Sequence, residues 1–139
     1  MTDQLQNLTY AEFLAIYAPL AGELTDPVFH EDAVTDRLWK IAVRLGENAK
    51  RFNLTAITEP YAVVEKHIVD SLLPLALLQQ RGLLDERMRY SGKSVTLCDI
   101  GSGAGFPSLP MAAVLAQSDG RVLAIDATAK KVRYIAETA

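Results

Sequence analysis

The chain has 139 residues, 50% of them apolar, and a formal net charge of −3 at pH 7. This length and composition predict about one folded domain rather than a disordered chain. No apolar run approaches the roughly 20 residues of a membrane-spanning helix, and Met1 to Gln4 lack the features of a secretory signal. The single cysteine, Cys98, fits a reducing compartment. We therefore expect a cytoplasmic protein that does not contact a membrane.

The first predicted helix begins at a capping box. Thr9 and Glu12 have the T-x-x-E spacing in which each side chain bonds the backbone N–H of the other residue. Leu8 and Phe13 flank this box as a hydrophobic staple. Apolar residues continue at helical spacing for about two turns, and Gly22 is the expected end of the helix.

The second predicted helix runs from about Glu31 to Phe52 and carries an apolar stripe along one face. Beside that stripe lies a basic row, whose spacing places its members on one side of the helix: Arg37, Lys40, Arg44 and Arg51. A row of cations can contact the phosphates of a nucleic acid. A solvated helix face explains the row equally well from the sequence alone.

A third helix is predicted after a short extended segment or tight loop at residues 53–57. Thr58 is its expected N-cap, with Pro60 in the first turn. Pro74 is expected to end or kink this helix, because proline lacks the N–H and its ring clashes with the preceding turn. One or two further turns then end near Gly82.

Two polar residues of this helix, His67 and Asp70, are three positions apart and so share a face. In one interpretation they form a hydrogen-bonded pair that holds the helical segment against a sheet. In the other they border a substrate cleft. The sequence leaves both open.

Near residue 90 the apolar pattern changes from helical spacing to that of strands. The polar stretch Arg87–Lys93 predicts a junction between an N-terminal helical segment, residues 1–90, and a second part, residues 91–139. The second part reads as strand, helix, strand, helix, with the strands at Val95–Ile100 and Arg121–Ile125. The predicted fold class is therefore α/β: a helical segment followed by the first β-α-β-α of a Rossmann-like parallel sheet.

Within the first strand, Cys98 is expected to be a small buried apolar residue. The chain's cysteine and its two histidines have no metal-ligand spacing, so no metal site is expected.

A glycine-rich segment, G-S-G-A-G-F-P at residues 101–107, follows the first strand. Alternate glycines let the backbone turn sharply and approach a ligand closely. The third glycine comes one residue too early for G-x-G-x-x-G, which disfavours an NAD-type enzyme, and no P-loop occurs. Asp99 precedes the loop, at the strand end where open α/β sheets bind ligands. An acid followed by x-G-x-G-x-G resembles motif I of S-adenosylmethionine-dependent methyltransferases.

Asp126 lies at the tip of the second predicted strand. In dinucleotide-binding folds an acid at this place accepts hydrogen bonds from ribose hydroxyls. S-adenosylmethionine carries the same pair of ribose hydroxyls, so we expect Asp126 to bind them.

Four sequence elements occur in a fixed order: N-L-T-A-I at 53–57, H-I-V-D-S-L at 67–72, D-I-G-S-G-A-G-F-P-S-L-P at 99–110, and K-K-V-R at 130–133. Together they resemble the glucose-inhibited division protein B family, bacterial enzymes that methylate N7 of a guanine in 16S ribosomal RNA. The resemblance implies 16S ribosomal RNA, or the small ribosomal subunit, as partner. It implies S-adenosyl-L-methionine as cofactor, bound by Asp99, Gly101, Gly103, Gly105, Phe106 and Asp126. Phe106 replaces a usual leucine, and Ser108 a common glycine.

The sheet that this resemblance implies has more strands than the two predicted here. We therefore expect a chain truncated at its C-terminus and inactive alone, whose open strand edge favours self-association. No catalytic residue is assigned, because guanine N7 carries a lone pair and no proton, so methyl transfer can proceed by positioning. The alternative, from another class of protein, is a non-catalytic RNA- or ribosome-binding module with a vestigial cofactor loop.

Overall fold

The computed structural model describes residues 4–84 and 95–139, so the predicted junction at Arg87–Lys93 lies outside the described residues. The helices and strands are α1 (Tyr10–Leu20), α2 (Asp32–Phe52), α3 (Pro60–Val63), α4 (Asp70–Gln80), β1 (Thr96–Ile100), α5 (Ser108–Leu115), β2 (Arg121–Ile125) and α6 (Ala129–Thr138). Short 3₁₀ turns occur at Ala21–Glu23, Pro27–His30 and Ala116–Ser118, and a π-helical turn, Val64–Val69, joins α3 to α4. This order confirms the predicted α/β fold class.

The capping box at the start of α1 is formed as predicted. The Thr9 N–H donates to Glu12 Oε2 at 2.9 Å, and the Glu12 N–H donates to Thr9 Oγ1 at 3.3 Å. Leu8 and Phe13, on either side of the box, are buried. The helix ends at Leu20, and Gly22 lies just beyond the C-cap as predicted, within a 3₁₀ turn.

The predicted bounds of the second helix agree with α2 to within one residue. Its apolar stripe is buried from Val34 to Ala49. The helix ends where Asn53 adopts a left-handed conformation with φ of 50°, and the Asn53 N–H bonds to the carbonyls of the last turn. The loop predicted at residues 53–57 follows.

The N-cap predicted for the third helix is wrong by one residue. Glu59, not Thr58, precedes α3, and its carboxylate accepts the N–H groups of Tyr61 at 3.0 Å and Ala62 at 2.8 Å. The carboxylate satisfies two of the N–H groups that a helix start leaves without partners, and its negative charge complements the helix dipole. Pro60 occupies the first turn as expected.

Pro74 does not end the helix, which continues through it to Gln80. Leu72 and Leu75, on either side of the proline, are buried. Packing of both flanks therefore maintains the helix across the bond that proline cannot make. Gly82, with φ of 67°, lies just beyond the C-cap, and the chain leaves the helix there as predicted.

β1 and β2 are parallel, in a register that pairs Ile100 with Ile125. One face of this sheet packs against α5, but on the other face Ile100 is 82% exposed and Ile125 51% exposed. The expectation that Cys98 is buried is wrong, because this residue lies on the uncovered face. Sequence patterns give the strand, but they do not show which face the described residues cover.

A single hydrophobic core runs through both predicted parts of the chain. It includes Phe13 of α1, Leu38 of α2 and Leu72 of α4, together with Leu109 of α5 and Ile135 of α6. α5 packs on α2 and α4, and α6 packs on α2. Across the described ranges, no helix is long and apolar enough to cross a membrane. The boundary near residue 90 stays a prediction.

Candidate cofactor-binding site

The glycine loop is tied to the end of the neighbouring strand. The N–H groups of Gly101 and Ser102 both donate to the Ile125 carbonyl, at 2.7 and 3.0 Å. This bifurcated contact places the loop at the carboxyl edge of the two parallel strands, where such sheets bind ligands. The Ser102 hydroxyl is buried and has no hydrogen-bond partner among the described residues.

All three loop glycines have positive φ, which favours glycine: 80° at Gly101, 55° at Gly103 and 91° at Gly105. They differ in the space around them. A Cβ at Gly101 would meet nothing within 4 Å, and one at Gly103 only a backbone oxygen at 4.0 Å. A Cβ at Gly105 would lie 2.5 Å from Leu109 Cδ1. The first two glycines therefore face open space, whereas Gly105 permits α5 to pack closely.

Asp126 lies beside this loop, as its position after β2 predicts. Its Oδ1 accepts the Thr128 N–H at 2.8 Å, and its Oδ2 accepts the Gly103 N–H at 2.9 Å. These backbone hydrogen bonds, first that of Thr128 and then that of Gly103, lower the pKa of the Asp126 carboxyl. The structure thus brings Asp126 and Gly103 together, while ribose binding by Asp126 stays a prediction.

Asp99 is the penultimate residue of β1, and its carboxylate is bonded by Ser108, one of the two residues that depart from the family pattern. The Ser108 hydroxyl, buried at the start of α5, donates to Asp99 Oδ2 at 2.5 Å. A glycine at position 108 could not make this bond. The hydroxyl joins the end of β1 to the start of α5 across the glycine loop.

Phe106 brings a third segment of the chain to the loop. Its ring stacks on the His67 imidazole, with ring centroids 4.8 Å apart and planes at 17°. His67 Nε2 and Thr55 Oγ1 share a hydrogen bond of 3.0 Å. The hydrogen bond of His67 Nε2 is thus with Thr55, so of the two interpretations left open, the His67–Asp70 pair is not supported, and the substrate-cleft interpretation stays untested. Partial burial lowers the pKa of the His67 imidazole, and the Asp70 charge opposes this effect.

The basic row lies on α2, and Arg37 at its start joins two helices. Arg37 Nη1 donates to the Ala113 carbonyl at 3.1 Å and to Gln117 Oε1 at 2.9 Å, and Gln117 Nε2 donates to Glu31 Oε2 at 2.7 Å. A cation at the C-terminal end of α5 also complements the helix dipole. Nothing in the sequence pattern marked this contact.

The other three cations of the row make local contacts. Lys40 pairs with Asp36 at 2.6 Å and Arg44 with Glu47 at 3.3 Å, both one turn apart on the same helix. The Arg51 guanidinium lies 4.8 Å from the centroid of the neighbouring Phe52 ring. These contacts leave RNA binding by the row untested.

Comparison with known sequences establishes the family. The family model of rRNA small subunit methyltransferase G, GidB, matches residues 36–139. The chain belongs to this family. The resemblance inferred from the four motifs is confirmed.

Pairwise similarity to individual members of the rRNA small subunit methyltransferase G family supports the same assignment. The chain is 43% identical over 93 residues to ribosomal RNA small subunit methyltransferase G of Microcystis aeruginosa, covering 66% of this chain and 37% of the relative. It is 36% identical over 128 residues to the protein of that name from Streptococcus sanguinis, covering 92% and 46%. The chain thus spans less than half the length of these relatives. No solved structure matches it.

Two further observations concern other possible ligand sites. Within residues 4–84 and 95–139, no group of three histidine, cysteine or acidic side chains could hold a metal ion. A surface groove lined by Leu8, Glu12, Ile16 and Pro60 includes none of the predicted site residues. The candidate site of this family member is the loop between β1 and α5 together with Asp126, which hydrogen bonds bring together.

Proposed function

We propose that this chain supplies the cofactor-binding part of an S-adenosylmethionine-dependent enzyme that methylates N7 of a guanine in 16S ribosomal RNA. Membership of the rRNA small subunit methyltransferase G family supports methyl transfer to ribosomal RNA. The methyl donor, the 16S molecule, the target atom and the site residues below are our proposal. The vestigial alternative is less well supported, because the loop keeps its three glycines and both acids.

The observation that carries the proposal is the hydrogen bond between Gly103 and Asp126 at the carboxyl edge of parallel strands. It joins the glycine loop to an ionised acceptor of the type that binds ribose hydroxyls. Open space at Gly101 and Gly103 leaves room for a ligand beside the backbone. The buried Ser102 hydroxyl, without a partner among the described residues, is a further polar group to be satisfied.

These residues fit S-adenosylmethionine in charge as well as in shape. The cofactor carries a positively charged sulfonium, whose methyl group is the one transferred. Asp99 and Asp126 supply carboxylates at the same sheet edge, which complement that charge. Phe106 adds an apolar ring next to the loop. The proposed cofactor-binding residues are Asp99, Gly101, Gly103, Gly105, Phe106 and Asp126.

Methylation of guanine N7 makes modest demands on the protein. The atom has an exposed lone pair and loses no proton, so a general base is not needed. The rate enhancement then comes mainly from holding the methyl donor and the base in line. The base must be accessible in the folded RNA or be extruded from a stack.

The proposed RNA contact is the basic row on α2. Lys40 and Arg44 are in exposed ion pairs, which contribute little to stability, so both cations can exchange their carboxylate partners for phosphates. Arg51 is exposed at the end of the same helix. Arg37 completes the proposed row, although its guanidinium also bridges α2 and α5.

Calorimetric titration of the chain with S-adenosylmethionine tests the cofactor site. Gly103→Val should abolish binding, because the side chain enters the proposed ligand space and φ of 55° disfavours a β-branched residue. Asp126→Ala should weaken binding about ten- to hundredfold through loss of a charged acceptor. Glu137→Ala, at an exposed acid on α6, is the matched control and should bind normally.

Two outcomes contradict the proposal. One is unchanged affinity in both Gly103→Val and Asp126→Ala, and the other is no binding of S-adenosylmethionine by the unmodified chain. A parallel titration with NAD should give no heat of binding, since the glycine spacing differs from the dinucleotide motif.

A further inference from the structure

Three side chains from separate segments meet beside the glycine loop. Thr55 lies in the loop after α2, His67 in the π-helical turn, and Phe106 at the end of the glycine loop, before α5. The imidazole is in contact on two sides, with a hydrogen bond to Thr55 and a stacked ring in Phe106. We refer to these three residues as the His67 cluster. It is the point where the helical segment touches the proposed cofactor loop through polar and aromatic contacts.

The His67 ring is itself held in place from several directions. Thr55 Oγ1 accepts the Ile57 N–H at 3.0 Å, which fixes the hydroxyl that bonds the imidazole. The Ser71 hydroxyl donates to the His67 backbone carbonyl. The π-helical turn, Val64–Val69, is a type of turn found frequently at functional sites. The ring is therefore a fixed support rather than a mobile surface side chain.

Phe106 transmits that support to the loop backbone. It directly follows Gly105, whose positive φ and close contact with Leu109 leave the backbone little freedom. At the other end of the loop, Gly103 is held by Asp126. The loop is thus fixed at two points: through a carboxylate from the β2 side and through the aromatic stack from the helical side.

We propose that His67 is a positioning residue, whose ring, oriented by Thr55, stacks on Phe106 and holds the glycine loop in its ligand-binding conformation. The identity of that ligand rests on the proposed function, but the effect of His67 on the loop does not. The cluster couples the helical segment, which carries the basic row, to the cofactor loop. His67 has no role in this proposal as a base or as a direct ligand of the cofactor.

The first test measures hydrogen exchange of the unliganded chain. The amides of Gly103 and Gly105 are bonded to Asp126 and Ser102, so their exchange reports the loop conformation. His67→Ala should speed their exchange while leaving the amides of α2 unchanged. His67→Phe keeps a stacking ring but loses the hydrogen bond to Thr55, so it should restore slow exchange in part. Unchanged loop exchange in His67→Ala would overturn the proposal, whether or not the chain binds S-adenosylmethionine.

The second test is a double-mutant cycle read by affinity for S-adenosylmethionine. His67→Ala should weaken binding about two- to tenfold, the range expected for loss of one aromatic pair. Phe106→Ala should weaken binding at least as much, because Phe106 is also a proposed cofactor contact. The double variant should be no weaker than Phe106→Ala alone, because both substitutions remove the same stack. Fully additive losses, or a His67→Phe variant as weak as His67→Ala, would contradict positioning by the stack. An unmodified chain that fails to bind the cofactor refutes the proposed function, and the exchange test then decides the role of His67.

Discussion

Gly105 has both a backbone and a packing reason to be glycine. Its φ is 91°, and a Cβ there would lie 2.5 Å from Leu109 Cδ1 and 3.3 Å from Ile135 Cγ1. Both neighbours are buried, so neither can move away freely. Left-handed strain adds about 1–2 kcal/mol and overpacking about 1–3 kcal/mol.

Gly105→Ala should therefore lower the free energy of unfolding by about 2–5 kcal/mol, as measured by urea denaturation. Gly22→Ala is the matched control, because a Cβ at Gly22 would meet nothing within 4 Å. That control should be neutral or slightly stabilising. Equal stability of the two variants would mean that the loop does not pack on α5 and α6 in this way.

Titration of His67 makes stability depend on pH. Partial burial lowers the pKa of its imidazole from the usual 6.5, and the nearby Asp70 charge opposes that shift. The folded chain therefore binds fewer protons than the unfolded chain below pH 6.5, so the free energy of unfolding falls as the pH falls through this window. The lowered pKa values of Asp126 and Glu12 affect the pH dependence of the free energy of unfolding only at more acidic pH.

Denaturation of the unmodified chain and of His67→Gln at about pH 7 and about pH 5 measures this effect. We expect a larger loss of stability in the unmodified chain, because glutamine cannot take up a proton. Identical losses in the two proteins would assign the pH dependence to other groups.

The features that the sequence predicts correctly are those set by residues close together in the chain. The capping box at Thr9 and Glu12 depends on neighbouring residues alone, and the turn at the loop follows from the freedom of its glycines. The His67 cluster joins residues 55, 67 and 106, and such a contact depends on how the helical segment packs on the loop. Periodicity carries no information on that packing. The N-cap prediction is wrong because the Glu59 carboxylate, rather than the Thr58 hydroxyl, accepts the N–H groups of the first turn.

At the scale of elements, the two-stranded sheet is the least protected part of the described core. Its outer face exposes apolar side chains, and among the described residues neither strand has a second neighbour. α2, by contrast, is buried along its whole apolar face. Backbone amides open at a free energy that follows such local burial.

Hydrogen exchange of the chain should therefore be faster for the amides of β1, Thr96–Ile100, than for those of Leu38 to Leu45 in α2. The α2 amides serve as the internal reference in the same sample. Slow exchange throughout β1 would contradict this expectation and would indicate pairing of the sheet with a second chain. Sedimentation at several protein concentrations would then detect the self-association.

The sequence predicts the order of helices and strands well, since each element has a local periodic pattern. It predicts less well how the helices and strands pack against one another. Helix α4 continues through Pro74 because its flanking leucines are buried, and Cys98 is exposed because the described residues cover one face of the sheet. Both outcomes depend on tertiary contacts, which cannot be predicted from the chemistry of proline or from strand propensity.

In the whole molecule, α2 connects the proposed RNA-binding row to the part of the chain that carries the proposed cofactor site. One face contributes to the core shared with α5 and α6, while the basic row lies beside it. Arg37 belongs to both, because its guanidinium bonds the end of α5. Removing Arg37 together with the other cations would therefore mix a loss of packing with a loss of phosphate contacts.

The variant that separates these effects replaces only Lys40, Arg44 and Arg51 by alanine. If each contacts a phosphate of 16S ribosomal RNA, affinity should become less sensitive to salt, with the slope of log K against log salt reduced by about 0.7–0.9 per contact. Filter binding of the RNA at several salt concentrations measures that slope. Lys66→Ala, an exposed cation outside the row, is the control and should retain the full slope. A triple variant with the same slope as the unmodified chain would show that the row is only a solvated helix face, because counterion release depends on the number of phosphates neutralised.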